Sequence, residues 1–96
     1  PGSVAGLRRR VDAVDDRLAA LLAERAALTA AIQELKPVAG HAGRDRARED
    51  EIVARMARLA PALGADRLRR IMQTVIAESL DAAAGEPEPG EQPSGP

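Results

Sequence analysis

Two cations, Arg25 and Lys36, lie on one face of a predicted helix and indicate a site for a small anionic ligand. Lys36 is the only lysine of the chain, against thirteen arginines. It follows Arg25 by eleven residues, which is almost three full helical turns. The face is otherwise apolar, so a buried cation there is costly unless an anion pairs with it. The anion is either a bound ligand or a carboxylate of the same chain.

An apolar stripe predicts the long helix that carries both cations. Its members recur with alternating steps of three and four residues, which is the spacing of a coiled-coil seam. Arg25 occupies the one position where the series is broken. We predict a helix from about Val4 to Lys36, ended by Pro37, which restricts the residue before it. The stripe consists of Leu7, Val11, Val14, Leu18, Leu21, Leu28, Ile32 and Leu35.

Two shorter helices are predicted in the second half of the chain. Asp45 is suited to cap the first of them. Pro61 and Gly64 interrupt the pattern, and Asp66 is suited to cap a third helix that runs over about 67–84. The predicted inward-facing positions are Ile52, Met56, Leu59 and Leu63 in the second helix, and Leu68, Met72, Val75 and Ser79 in the third.

These elements predict an all-α fold with one long and two short helices. A helix of about 33 residues is roughly 50 Å long, and a chain this small cannot cover it with a compact core. We therefore predict an intertwined helical-bundle homodimer; a three-helix bundle monomer is the competing architecture. Residues 1–84 form the predicted domain. Residues 85–96, rich in Pro, Gly and Glu, form a tail predicted to be disordered.

Composition argues against several classes of function. The three glutamates of the tail exceed the whole net charge of −1, so the rest of the chain carries +2, too little for a nucleic-acid-binding surface. There is no aromatic residue to stack on a base and no cysteine. A single histidine, His41, does not build a metal site. No stretch reaches transmembrane length and no signal peptide is visible, so we expect a cytoplasmic protein that requires neither metal nor membrane.

The polar positions and their helical frame resemble the all-helical chorismate mutases, the small intertwined dimeric type. The resemblance covers about residues 5–84. It implies an isomerase that converts chorismate to prephenate by a [3,3] rearrangement, in aromatic amino acid biosynthesis, without a cofactor. The positions that carry it are Arg8, Arg25, Lys36, Asp45, Arg48 and Glu49, together with the segment around Ser79.

The resemblance also implies a role for each cation. Arg25 is expected to bind a carboxylate of chorismate, and Arg8 of the partner chain is expected to bind a carboxylate from across the dimer interface. Lys36 should contact a carboxylate and the ether oxygen, where a compact ammonium stabilises the charge that develops as the bond breaks. Arg48 should support the carboxylate cluster.

The remaining implied contacts come from Glu49, Asp45 and Ser79. Glu49 and the backbone at Asp45 should bind the ring hydroxyl, and Ser79 should bind the ring carboxylate. One position departs from the family pattern, because Ala83 stands where a glutamine or glutamate usually donates to the ether oxygen. Loss of such a donor typically costs about 10²–10³ in rate.

Ala83 leaves several functions open for this chain. The chain is a slow chorismate mutase, or acts on an amino-deoxy analogue, or is an isochorismate–pyruvate lyase of the same fold. A partner enzyme that rearranges the third helix is a further alternative. A non-catalytic dimerisation or regulatory module would share the apolar stripe, but it gives no reason for Arg25, Lys36, Glu49 and Ser79 to occur together.

Overall fold

The computed structural model describes residues 2–36 and 45–85, and every regular element in this part of the chain is an α-helix. Helix α1 spans Val4–Leu35, α2 spans Arg46–Leu59 and α3 spans Gly64–Ala83. The predicted all-α fold, with one long and two shorter helices, is confirmed. The loop predicted at 38–44 and nearly all of the predicted tail lie outside the described residues.

Helix α1 begins and ends close to the predicted positions. The side chain of Ser3 caps its first turn by accepting a hydrogen bond from the backbone N–H of Gly6 at 2.9 Å. At the other end, Lys36 is the capping residue, and its N–H donates to the carbonyl of Ile32. Lys36 therefore marks the end of α1, as the proline that follows it requires.

Asp45 caps α2 as the sequence predicts. Its carboxylate accepts a hydrogen bond from the backbone N–H of Arg48 at 3.1 Å, which satisfies a donor that the helix itself leaves unpaired. Glu49 lies in the first turn, where a negative charge is favourable near the positive end of the helix dipole. The start of α2 is thus fixed by its own sequence.

The start of α3 is where the sequence prediction was wrong. The helix begins at Gly64 rather than near residue 67, and Asp66 lies within its first turn instead of capping it. The carbonyl of Ala60 accepts from both Leu63 and Gly64, so the chain reverses in a tight turn. Gly64 has φ +80°, a left-handed conformation that costs other residues free energy. Asp66 still stabilises α3, because its negative charge lies near the positive N-terminal end of the helix dipole.

The buried apolar side chains of the described residues come from α2 and α3 alone. They are Ile52, Val53, Leu68, Met72 and Ile76. The predicted inner face of α2 was wrong toward its end, because Leu59 is 79% exposed and Leu63 is 44% exposed. Leu59 is the last residue of α2 and Leu63 lies in the turn, whereas Met56, Ala57 and Ala60 are the residues there that pack against the core.

Helix α1 contacts α3 but buries none of its residues. Every member of its apolar stripe is exposed, from 48% at Leu7 to 88% at Leu35. In the described part of the chain, α3 packs against both other helices, whereas α1 and α2 do not approach each other. Within that same part, no helix is both long and apolar enough to cross a bilayer. The stripe on α1 is therefore not covered by the other helices that the structure describes.

Candidate functional site

The candidate site is centred where α1 and α3 meet, at Arg25 and Ser79. Arg25 is half-buried, and its Nη1 donates a hydrogen bond to the Oγ of Ser79 at 3.3 Å. Ser79 is only 5% exposed and is the buried polar residue among those described. These two residues are separated by 54 positions in the chain, so the packing of α1 against α3 brings them together.

No carboxylate of the described residues forms an ion pair with Arg25. The ion pairs found there join Arg48 to Glu51 and Arg69 to Asp50. The hydrogen-bond partner of Arg25 is instead the neutral hydroxyl of Ser79, which does not compensate the charge of the half-buried guanidinium. An arginine has five N–H donors in a planar fork that fits a carboxylate. The arrangement therefore favours an anionic ligand over a structural ion pair.

Five half-buried residues of α1 form a strip, called here the inner strip, on the side that contacts α3. Two of its polar members have partners within the site: Arg25 donates to Ser79, and the hydroxyl of Thr29 donates to the carbonyl of Arg25 at 2.9 Å. The third polar member is Gln33, which also makes an interaction in the structure and was not predicted from the sequence. The inner strip is Arg25, Ala26, Thr29, Ala30 and Gln33.

Lys36 directly follows α1 as its C-terminal capping residue, has a non-helical backbone (φ −141°, ψ 73°) and is exposed. Eleven residues separate the Cα atoms of Arg25 and Lys36 by about 16 Å along the axis, and the two positions differ by about 20° around it. Two long side chains on one face can converge on a small molecule between them. Arg25 is thus held within α1, whereas Lys36 lies at the end of that helix.

The residues predicted from the start of α2 occur together in one turn. Glu49 is half-buried, whereas Asp45 and Arg48 are exposed. Arg48 forms a 3.9 Å ion pair with Glu51, one turn further along the same helix. Both side chains of that pair are more than half exposed, and such surface pairs contribute little to stability. Arg48 is therefore not locked in place by its partner.

The structure separates Arg8 from Arg25 along α1. Arg8 is exposed near the start of α1, and seventeen residues place it about 25 Å along the axis from Arg25. Ala83 is the half-buried last residue of α3, four positions after Ser79. Its methyl group can neither donate nor accept a hydrogen bond. The hydrogen-bond donor that the family pattern implies is thus missing from α3 at this position.

The chemistry available at this site is that of fixed positive charge. The described residues contain no cluster of three or more His, Cys, Asp or Glu side chains that could hold a metal ion. The structure joins the guanidinium of Arg25 to the buried hydroxyl of Ser79. The ammonium of Lys36 and the carboxylate of Glu49 are predicted to belong to the same site. Such a set binds and orients an anion and stabilises charge that develops on an oxygen atom.

Comparison with known proteins agrees with this chemistry. Residues 7–83 match the family model described as chorismate mutase type II. The searches of curated proteins and of solved structures gave no significant match. The matched segment includes all three helices almost completely, together with every residue of the candidate site. Since the match covers most of the chain, this all-helical protein belongs to the chorismate mutase type II family.

Proposed function

We propose that this protein is a chorismate mutase, which converts chorismate to prephenate by a [3,3] rearrangement. Membership of the family supports chorismate mutase-type activity in general. The finer assignment, to this substrate and this product, depends on the charges of the site. Chorismate carries two carboxylates, a ring hydroxyl and an ether oxygen, and Arg25, Lys36 and Glu49 offer groups suited to bind them.

The observation that carries the proposal is the bond between Arg25 and Ser79. A half-buried guanidinium held by a buried neutral hydroxyl retains its full charge and most of its N–H donors. A purely structural arginine in this position would be expected to have a carboxylate partner, because an unpaired buried charge is destabilising. Ser79 therefore orients Arg25 while leaving it available for the carboxylate of a substrate.

The proposed mechanism needs no proton transfer and no covalent intermediate. Arg25 binds one carboxylate and holds the substrate in the folded conformation from which the new carbon–carbon bond forms. Lys36 binds the second carboxylate and places its ammonium beside the ether oxygen, where negative charge develops as the carbon–oxygen bond breaks. Glu49 accepts a hydrogen bond from the ring hydroxyl, and the backbone at Asp45 makes a second contact with that hydroxyl. Arg48 adds positive charge around the carboxylates.

We further propose that the active form is an intertwined homodimer. The Arg8 and Arg25 of one chain lie about 25 Å apart along α1, too far for one substrate to bridge. In a dimer whose α1 helices pair along their apolar stripes, Arg8 of the partner chain reaches the site instead. The stripe supports this arrangement because its side chains are 48–88% exposed in the single chain. Paired helices would bury these side chains in the manner of a coiled coil.

Ala83 favours a second candidate function. Without a donor at this end of α3, the site is less complete for the ether oxygen of chorismate than the family pattern implies. An enzyme of the same fold that acts on amino-deoxychorismate, or that eliminates pyruvate from isochorismate, would bind its substrate with the same cations. The products distinguish these activities from the conversion to prephenate.

The test is direct incubation of the purified protein with chorismate. Loss of the ultraviolet absorbance of chorismate gives the rate, and NMR identifies the product. We expect prephenate at a rate well above the uncatalysed reaction, and loss of that rate in Lys36→Ala. Absence of turnover by a folded wild-type protein would contradict the proposal. Amino-deoxychorismate and isochorismate, assayed in parallel, would then test the second candidate.

A further inference from the structure

We propose that Arg69 is a positioning residue for the proposed reaction, which acts through its ion pair with Asp50 to fix the orientation of Glu49. The inference rests on the proposed function, because it concerns how the second helix is held at the same site. It starts from a contact between two helices, in which the Nη1 of Arg69 on α3 donates to the Oδ1 of Asp50 on α2 at 2.6 Å. The two residues are 19 positions apart in the chain, so the bond links one helix to the other.

Helix α2 is held against the other described helices by α3 alone. It packs on α3, whereas α1 and α2 do not approach each other. Residues 60–63 connect α2 to α3, so the two helices form a hairpin whose turn joins the end of α2 to the start of α3. The start of α2 and the end of α3 therefore lie toward the open end of this hairpin. The bond from Arg25 to Ser79 joins α1 to that same end of α3.

Glu49 continues the face of α2 that packs against α3. It is half-buried, precedes the buried Ile52 and Val53 by one turn, and lies within about 60° of both around the axis. Ser79 continues the buried face of α3 in the same way, one turn beyond Ile76. Glu49 makes an interaction of its own in the structure, but a carboxylate has about four lone-pair sites and can accept a further hydrogen bond. Glu49 and Ser79 thus extend the interface of the two helices toward its open end.

The ion pair lies on the flank of this interface and restricts rotation of α2 about its own axis. Asp50 is exposed, about 100° around α2 from Glu49, and Arg69 is half-buried next to the buried Leu68 of α3. The apolar core holds α2 by contacts that have no preferred direction. A charge-assisted hydrogen bond does have a preferred direction, and a rotation of α2 that broke it would also turn Glu49.

The exposure of the ion pair separates this role from a role in stability. The side chains of Arg69 and Asp50 are 44% and 65% exposed, and ion pairs this exposed contribute little to folding. Removal of the pair should therefore leave the hairpin folded, because its buried apolar core remains intact. What should change is the orientation of Glu49, which the kinetics report.

The test measures KM and kcat with chorismate for variants of the ion pair. Arg69→Gln removes the charge. The double variant Asp50→Arg with Arg69→Asp exchanges the two charges and so allows an ion pair to form again. Arg70→Gln is the matched control, because Arg70 is the neighbouring exposed arginine of α3 and belongs to neither ion pair found in the described part of the chain. Circular dichroism and sedimentation show whether each variant keeps the fold and oligomeric state.

We expect KM of Arg69→Gln to rise by about fivefold, the upper end for loss of an exposed ion pair, with kcat close to that of the wild type. The ring hydroxyl keeps its charge during the rearrangement, so its contact with Glu49 is equally strong in the ground state and the transition state. The exchanged pair should recover most of the loss, and Arg70→Gln should retain wild-type values. In a Glu49→Ala background, Arg69→Gln should raise KM by less than about twofold, because the group that it positions is gone.

Two results would overturn the inference while leaving the proposed function in place. One is a wild-type KM in a folded Arg69→Gln variant. The other is an equal fold-change in KM with and without Glu49, which would mean that the ion pair acts on the site in some other way. If Arg69→Gln does not fold, Asp50→Ala removes the same pair from the other helix, and failure of both to fold would make the pair a requirement of the fold instead. If the wild-type protein itself does not turn over chorismate, the proposed function fails and this inference fails with it.

Discussion

Truncating one leucine of the apolar stripe should weaken the proposed dimer and thereby reduce activity at low protein concentration. Leu18 lies in the middle of α1, away from the site residues, and is 50% exposed in the single chain. The Leu18→Ala variant removes apolar surface that only a second chain would cover. Because the site is proposed to need Arg8 from the partner, dissociation should also remove activity.

The exposed fraction of Leu18 sets the size of the expected effect. Full burial of a leucine side chain contributes about 1.5–3 kcal/mol, so burial of the exposed half contributes about 1 kcal/mol. Two-fold symmetry places the substitution twice in the interface, which gives about 2 kcal/mol per dimer. This corresponds to a roughly 30-fold increase in Kd. Imperfect closure of the cavity left by the substitution would increase that figure.

Sedimentation over a concentration series measures Kd, and specific activity over the same series should decline in parallel. Asp16→Ala is the matched control, because Asp16 lies two residues away, on the opposite side of α1, and is also exposed. We expect this control to dimerise as the wild type does. A wild-type protein that is monomeric and fully active at every concentration would refute the reasoning. So would equal values of Kd for Leu18→Ala and Asp16→Ala.

Five further substitutions test the site. Lys36→Ala should lower kcat by at least about 10²-fold, since the ammonium beside the ether oxygen is lost; a circular dichroism spectrum like that of the wild type shows that the fold is intact. Arg8→Ala and Arg25→Ala should each be inactive alone, whereas an equal mixture with exchanged subunits should recover about a quarter of wild-type activity, because half of its dimers have one complete site. No recovery would contradict a shared site. Ser79→Ala should reduce kcat/KM by about tenfold, the low end expected for a charge-assisted bond that is as long as 3.3 Å. Ala83→Gln should raise the rate with chorismate, and a lower rate would mean that the pocket is built for another substrate.

The lengths of the helices follow from local signals and were therefore predictable. Pro37 fixes the end of α1 through its missing N–H, and Asp45 fixes the start of α2 through a hydrogen bond three residues away. The start of α3 was misjudged because two signals competed. Asp66 has the side chain of a cap, but the left-handed Gly64 allows the helix to begin earlier. A sequence pattern alone does not show which backbone conformation a glycine adopts.

The residues of the candidate site were easier to predict than the contacts between them. The spacing predicted Arg25 and Lys36 on one helix face, but α1 ends at Leu35 and Lys36 is its non-helical capping residue, so their common face stays a prediction. The bond from Arg25 to Ser79 depends on how two helices pack, and no local pattern records that packing. The half-buried position of Gln33 was not predicted, because the apolar stripe gave α1 a single expected inward face. The inner strip lies beside the apolar stripe, on the side of α1 that contacts α3.

The confinement of the buried core to α2 and α3 has a consequence for how the chain acquires its structure. A separated chain holds α1 only through half-buried contacts, so its amide protons should exchange soonest there. Completion of α1 would then be a second-order reaction in chain concentration, and Tm should rise as the protein is concentrated. In the proposed intertwined dimer, the chains would exchange partners only after the two chains separate. Mixed species are accordingly best prepared by refolding the two variants together from denaturant.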